Sequence, residues 1–282
     1  MRKIINLKSK IPAFAEPARW TGGASAGNYN PKANYIIGID EVGRGALAGP
    51  VVVAALAAPT KLRIKNAELG IKIRSKNSKF FFCQRQIPGG SILNSKLAKL
   101  RDSKKLSPKQ REIWFEWIKK HSNILENVGM FYAVASVSPK IIDKINISQA
   151  ANLAASRAFN RLTKNSRLRR GFGGQVKLKA KNFQVFLDGG LYLNKNIRVN
   201  PRSHPRISAS TIIKGDEKIP AISLASIVAK VSRDRMMVKL HGKYPKYCFD
   251  KHKGYGTKLH YKKIKKHGPS KIHRLTFFRK IR

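Results

Sequence analysis

The chain has 282 residues, with 59 Lys or Arg against 14 Asp or Glu, a formal net charge of +45. A hydrophobic content of 42%, including 13 Phe, 8 Tyr and 3 Trp, is enough to build a core and excludes disorder throughout. No run approaches the roughly 20 apolar residues of a membrane span, residues 1–10 lack a secretory h-region, and Cys83 and Cys248 stand apart without a His/Cys cluster. The expectation is a soluble, cytoplasmic protein with one domain carrying insertions, and a polyanion, nucleic acid by default, as partner.

Residues 1–34, with Pro12, Pro17, Gly22, Gly23 and Pro31, read as a flexible basic arm. Tyr35–Ile39 and Val51–Ala55 are apolar runs separated by a glycine-rich turn, and both predict buried strands. Residues 60–101 form a basic insertion in which Glu68 is the sole acid. Ser107, Pro108 and Gln110 then supply an N-cap, a proline at the first helical position and a capping-box partner, ahead of Ile113, Trp114, Trp117 and Ile118. A strand is predicted over 128–137. From Ser148 a helix places Ala151, Ala154, Ala155, Ala158, Phe159 and Leu162 on one face. After a second basic insertion at 163–182, Phe183–Leu187 reads as a strand and Ile222–Met237 as a helix with small residues suited to close packing. The basic segment 239–282 is rich in Tyr and His. This mixture predicts an α/β domain over 35–238.

In so basic a chain, acids beside apolar strands are conspicuous. Asp40 and Glu41 follow one predicted strand, Asp188 ends another, and Asp216 follows Ile212 and Ile213. Two carboxylates about 4 Å apart repel by roughly 4 kcal/mol at an effective dielectric of 20, and a divalent cation would offset that. Oxygen ligands brought together from several strand ends suit Mg²⁺ or Mn²⁺ and a two-metal phosphodiester hydrolysis. Taken singly, each acid is better read as a turn residue or helix cap. Neighbours on an extended strand face opposite ways, so Asp40 and Glu41 share a site only if the strand ends or twists there. From charge alone, a non-enzymatic, ribosome-like binder is as good a reading as an enzyme.

The run Ile37-Gly38-Ile39-Asp40-Glu41-Val42-Gly43-Arg44-Gly45, continued by Leu47-Ala48-Gly49-Pro50-Val51-Val52, resembles the opening motif of the ribonuclease HII family. Further similar motifs follow in the family's order: Asp102–Ser107, Leu187-Asp188-Gly189, Lys214-Gly215-Asp216, Ile222–Asp234, His252–Thr257, His267–Ser270 and His273-Arg274. The resemblance implies an RNase H-like fold, a mixed central sheet flanked by helices with a mostly helical C-terminal part that holds substrate. It implies metal-dependent endonucleolytic cleavage of RNA in RNA–DNA hybrids, or at ribonucleotides embedded in duplex DNA, leaving 5′-phosphate and 3′-hydroxyl ends.

On the same resemblance, Asp40, Glu41, Asp188 and Asp216 are the catalytic, metal-binding acids, with Mg²⁺ or Mn²⁺ as cofactor and no organic cofactor. Gly43, Arg44 and Gly45 would read the ribose 2′-OH, Tyr255 would pack against the junction nucleotide, and Ser103, Lys104 and Lys105 would contact phosphates. Lys230, Ser232 and Arg233 would contact phosphates or finish a helix. Asp102 and Asp234 are read as structural, the tail histidines as phosphate or packing partners, and the protein as a monomer. Ala46 and Cys248 stand where the family often has proline and glycine, a difference of turn geometry. Ribonuclease HIII fits less well, because it lacks the Gly-Arg-Gly run and has a folded N-terminal domain.

Overall fold

The computed structural model describes residues 33, 35–59, 103, 105–122, 130–165, 183–193 and 209–278. The expected arm at 1–34 and the insertion at 60–101 lie outside the described residues apart from Ala33, as do Lys104, Asp102 and all but the first three residues of the insertion at 163–182.

Five strands form one sheet: β1 (Tyr35–Val42), β2 (Val51–Pro59), β3 (Phe131–Val137), β4 (Phe183–Asp188) and β5 (Ala209–Ile212), in the order β3-β2-β1-β4-β5. β1 runs antiparallel to β2 and parallel to β4, while β2–β3 is antiparallel and β4–β5 parallel, so the sheet is mixed. β2 is buried along nearly its whole length, as expected of a strand covered on both faces.

One face is covered by α1 (Pro108–His121) and the other by α2 (Pro139–Ile145) and α3 (Ile147–Asn165). α1 begins as the sequence predicts: the Ser107 hydroxyl accepts from the Gln110 amide at 3.3 Å and the Gln110 side chain accepts from the Ser107 amide at 2.9 Å. The alanine face of α3 packs with Phe159 and Leu162 against Ile37, Ile39, Val53 and Leu187. α4 (Gly215–Lys218) leads into α5 (Pro220–Lys243), which lies with α1 over Ala54, Leu56 and Ala58 on the opposite face. α5 is longer at both ends than the predicted 222–237, because Pro220 starts it and its last turns are held against the C-terminal part.

That part comprises a 3-10 turn at Pro245–Tyr247, α6 (Phe249–His252), α7 (Lys258–His267) and α8 (Leu275–Phe278). It is stitched to the sheet domain by bridges from Ala46 to Tyr255 and from Ala48 to His273. Asp143 of α2 anchors its end by accepting from the Leu275 amide at 3.0 Å and the Thr276 amide at 3.1 Å. No helix among the described residues is long and apolar enough to cross a membrane.

α5 approaches β1 at Gly38. A Cβ there would sit 2.1 Å from the Ala221 carbonyl carbon and 2.3 Å from the Ile222 amide nitrogen, both backbone atoms with little freedom to yield. Gly38→Ala is therefore expected to cost about 3 kcal/mol of stability in urea denaturation. A variant as stable as the parent would show that the helix does not lie this close.

Candidate active site

The carboxylates meet where β1 and β4 stop pairing. Their parallel register ends at Ile39 opposite Leu187, so Asp40 and Asp188 are the next residues on each strand. Alternation puts Ile39 and Leu187 into the core under α3 and turns Asp40 and Asp188 to the α5 face. β1 does not end at Ile39 as the sequence suggested, but continues through Asp40 and Glu41, which pair with Ala54 and Val53 of β2. Glu41 thus starts on the opposite face, yet its longer side chain reaches round the unpaired strand edge. Carboxylate oxygens of Asp40, Glu41 and Asp188 lie within 4.8 Å of one another, the one such group of acids among the described residues.

Asp216 stands outside that group, buried in the first turn of α4. Its neighbour Gly215 donates its amide to Asp188 Oδ1 at 2.7 Å, which ties this turn to the cluster. Three of the four expected acids are brought together, and the fourth is adjacent.

Among the described residues the cluster is short of positive charge. Asp40 is 4% exposed, and burial, followed by the charge of Glu41, holds its carboxyl well above the ordinary range. Burial also raises Glu41, against the pull of the Arg44 guanidinium 3.2 Å away. Glu41 Oε2 is buried with no hydrogen-bond partner among the described residues. An unpartnered carboxylate oxygen among three crowded acids, with oxygen ligands alone at hand among the described residues, fits a hard divalent cation.

Next to the acids, the loop Gly43–Pro50 is built on two buried arginines. Arg233 and Arg274 are both fully buried. Arg233 donates from Nε to the Pro50 carbonyl at 3.1 Å and from Nη2 to the Ala48 carbonyl at 3.2 Å. Arg274 donates from Nε to the Gly49 carbonyl at 3.0 Å and from Nη1 to the Arg44 carbonyl at 2.8 Å. At Gly43, φ is +89°, and a Cβ would come 2.2 Å from Arg233 Nε, so only glycine fits. The Arg233 guanidinium also lies over the Tyr255 ring, 5.0 Å from its centroid. The loop and Tyr255 therefore share one support. Arg44 itself, partly exposed, spans from Glu41 to the Ser148 hydroxyl at 3.4 Å, and Gly45 is exposed.

Two expectations need correcting. Arg233 cannot contact phosphate, because its guanidinium is buried under the loop, and neither it nor Lys230 and Ser232 finishes a helix, since α5 runs on to Lys243. Lys230 and Ser232 are partly exposed. Ser103 points inward, 2% exposed, with its hydroxyl 2.7 Å from that of Ser226. Lys105 is exposed, 3.9 Å from Glu217. Arg274, Ser148 and Ser226 are site residues that composition could not single out, because nothing local distinguishes an inward Arg or Ser from the many outward ones.

The tail histidines hold Tyr255 from behind. The Ser270 amide donates to His273 Nδ1 at 2.8 Å, His273 Nε2 is 3.1 Å from His260 Nε2, and His260 Nδ1 is 2.9 Å from the Tyr255 carbonyl. With one proton per ring, only one arrangement satisfies all three bonds: His273 donates from Nε2 to His260, which donates from Nδ1 to Tyr255. Burial pushes both imidazoles down to about 4, consistent with neutral rings.

A family model described as ribonuclease HII matches residues 37–78 and 90–280. The ribonuclease HII of Caldicellulosiruptor bescii is 38% identical over 247 residues, covering 88% of each chain. That of Endomicrobium trichonymphae is 39% identical over 249 residues, again 88% of each. The crystal structure of ribonuclease H2 from Pyrococcus horikoshii superposes with a TM-score of 0.51 at 23% identity, covering 88% of this chain and 96% of that one, a likeness of fold.

Two outcomes follow. Free carboxyls ionise near pH ~4 in the unfolded chain and higher in the folded one for Asp40 and Glu41, so between those values the folded state binds more protons and stability falls as pH rises. At pH 7.5 in EDTA, Asp40→Asn should therefore melt several degrees above the parent, with Mg²⁺ stabilising the parent alone. A lower melting temperature for Asp40→Asn in EDTA would contradict the strained cluster. For His260 and His273 the sign is opposite. Their rings protonate near ~6.5 when unfolded but only at about 4 when folded, so their contribution is lost as pH falls through that window. Amide exchange at Tyr255, corrected for intrinsic rates, should accelerate between pH 6.5 and 4, and less so in His273→Gln. Unchanged protection would contradict the neutral relay.

Proposed function

The chain belongs to the ribonuclease HII family, endoribonucleases that act on RNA–DNA hybrids and depend on divalent metal, and on that premise we propose that Asp40, Glu41 and Asp188, with Asp216 beside them, hold the metal. The observation that carries this reading is the convergence of three carboxylates within 4.8 Å, one of them with an unpartnered buried oxygen. The ion is Mg²⁺ or Mn²⁺, which prefer such oxygen ligands. When bound, such ions supply a water ionised at neutral pH and a Lewis acid for the leaving oxygen, which accounts for hydrolysis to 5′-phosphate and 3′-hydroxyl ends.

The chain's own residues orient the substrate. Gly43, Arg44 and Gly45 form the part of the loop that faces the ribose, with Gly45 exposed and the carbonyl of Arg44 held inward by Arg274. With that carbonyl engaged and no side chain on Gly43 or Gly45, close backbone approach is what the loop offers a 2′-hydroxyl, the group that marks a ribonucleotide. Tyr255, backed by Arg233 and held through its carbonyl by His260, presents a fixed ring for packing against the junction nucleotide. Lys104 and Lys105 contact phosphate, as do Lys230 and Ser232 where they emerge from α5, and the large positive charge holds the duplex through counterion release. The substrate is an RNA–DNA hybrid or a duplex with one embedded ribonucleotide, and the protein acts as a monomer.

A duplex DNA with a single ribonucleotide, incubated with the protein and Mg²⁺ or Mn²⁺, should be cut at that nucleotide. An all-DNA duplex should stay intact, and Asp40→Asn should lose at least 10³-fold in rate while still binding. An uncut ribonucleotide duplex, or equal cutting of all-DNA duplex, would contradict the assignment.

A further inference from the structure

Two buried serines lie between the turn that carries Lys105 and the carboxylate cluster. Ser103 is 2% exposed and Ser226, on α5, is 7% exposed, and their hydroxyl oxygens are 2.7 Å apart. On its other side the Ser226 hydroxyl lies within reach of the Asp40 side chain, where it favours the ionised carboxyl. Proton counting fixes the direction of both bonds. A carboxylate can only accept, and a hydroxyl has one proton to give. Ser226 therefore donates to Asp40, and Ser103 must donate to the Ser226 oxygen. Neither bond can reverse while Asp40 is ionised.

The far end of this chain is also anchored. The Ser103 carbonyl accepts from Arg111 Nη1 at 3.1 Å, and the same nitrogen donates to the Leu106 carbonyl at 2.5 Å. Arg111 Nη2 lies 4.0 Å from Asp234 on α5. Ser103 and Leu106 are thus clamped to the helix that carries Ser226, while the Lys105 side chain projects into solvent. At the near end, Asp40 Oδ1 accepts from the Glu41 amide at 2.7 Å. A carboxylate has about four lone-pair positions. Two are taken by these donors, which leaves the others directed by the protein rather than free to rotate.

We infer that Ser226, backed by Ser103, is a positioning residue that sets the orientation in which Asp40 meets its cation and links that orientation to the lysine-bearing turn. The inference rests on Asp40 being a metal ligand. Donors that orient a metal ligand in this way govern affinity by roughly 10–100-fold.

The test is Mn²⁺ binding to the full chain, followed by the electron paramagnetic resonance signal of the free ion, alongside cleavage of a single-ribonucleotide duplex as Mn²⁺ is varied. Ser226→Ala should raise the half-saturating Mn²⁺ concentration roughly 10-fold in both readouts, with the KM for the duplex and the melting temperature in EDTA close to those of the parent. Ser103→Ala should shift it the same way but less, and the double variant should be no worse than Ser226→Ala, because Ser103 acts only through Ser226. Parent-like Mn²⁺ binding by Ser226→Ala, or additive losses in the double variant, would overturn the inference. Should Ser226→Ala fail to fold, Ser103→Ala decides, and unaltered binding there overturns it. Asp40→Asn separates the two levels: if it too binds Mn²⁺ and cleaves as the parent does, the ligand assignment itself fails.

Discussion

Everything at the active end of this molecule follows from the crowding of three carboxylates at the point where β1 and β4 part. Each pair about 4 Å apart repels by roughly 4 kcal/mol at an effective dielectric of 20, and burial adds to the cost for Asp40 and Glu41. Partial relief comes from Arg44 beside Glu41, the Gly215 amide on Asp188 and the Glu41 amide with the Ser226 hydroxyl on Asp40. These donors orient the acids without neutralising them. Among the described residues, one guanidinium faces three carboxylates inside a chain of net charge +45, a deficit that the proposed divalent cation would balance.

The same economy of charge operates with opposite sign behind the Gly43–Pro50 loop. Two buried guanidiniums with no carboxylate in ion-pair contact among the described residues are costly, since each ion removed from water loses several kcal/mol of solvation. What they gain is a set of four carbonyls, those of Arg44, Ala48, Gly49 and Pro50, drawn inward. A loop whose acceptors are engaged from below, and whose Leu47, Ala48 and Gly49 amides donate to the Gly254 and Ile272 carbonyls, has a fixed shape. The histidine relay extends that support to Tyr255, so the loop and the Tyr255 ring are held by one connected set of bonds.

Much of this was legible in the sequence where the signal is local. The capping box at Ser107 and Gln110, the apolar runs of β1, β2 and β4, and the alanine face of α3 depend on near neighbours, and the structure has them. The short helix α2 went unread, because seven residues carry too little periodicity. The end of β1 was misread, because Asp40 and Glu41 look like a strand terminus while β2 still offers them pairing partners. Arg233 and Ser103 look like surface residues in a basic chain, and only tertiary packing turns them inward, the arginine toward carbonyls more than 180 residues away. The four acids are legible as candidates from their places beside apolar strands and from the resemblance, but the convergence of Asp40, Glu41 and Asp188 is not, since it depends on the parallel register of β1 and β4.

The central claim is that Asp40, Glu41 and Asp188 form a cation site by their placement alone, and anomalous diffraction tests it most directly. Crystals of the full chain grown with Mn²⁺ should show an anomalous peak within coordination distance of oxygens from all three carboxylates, and crystals of Asp188→Asn grown in the same way should show a weakened peak or none. A parent crystal with no peak between these residues, or with Mn²⁺ bound elsewhere in the domain, would contradict the account.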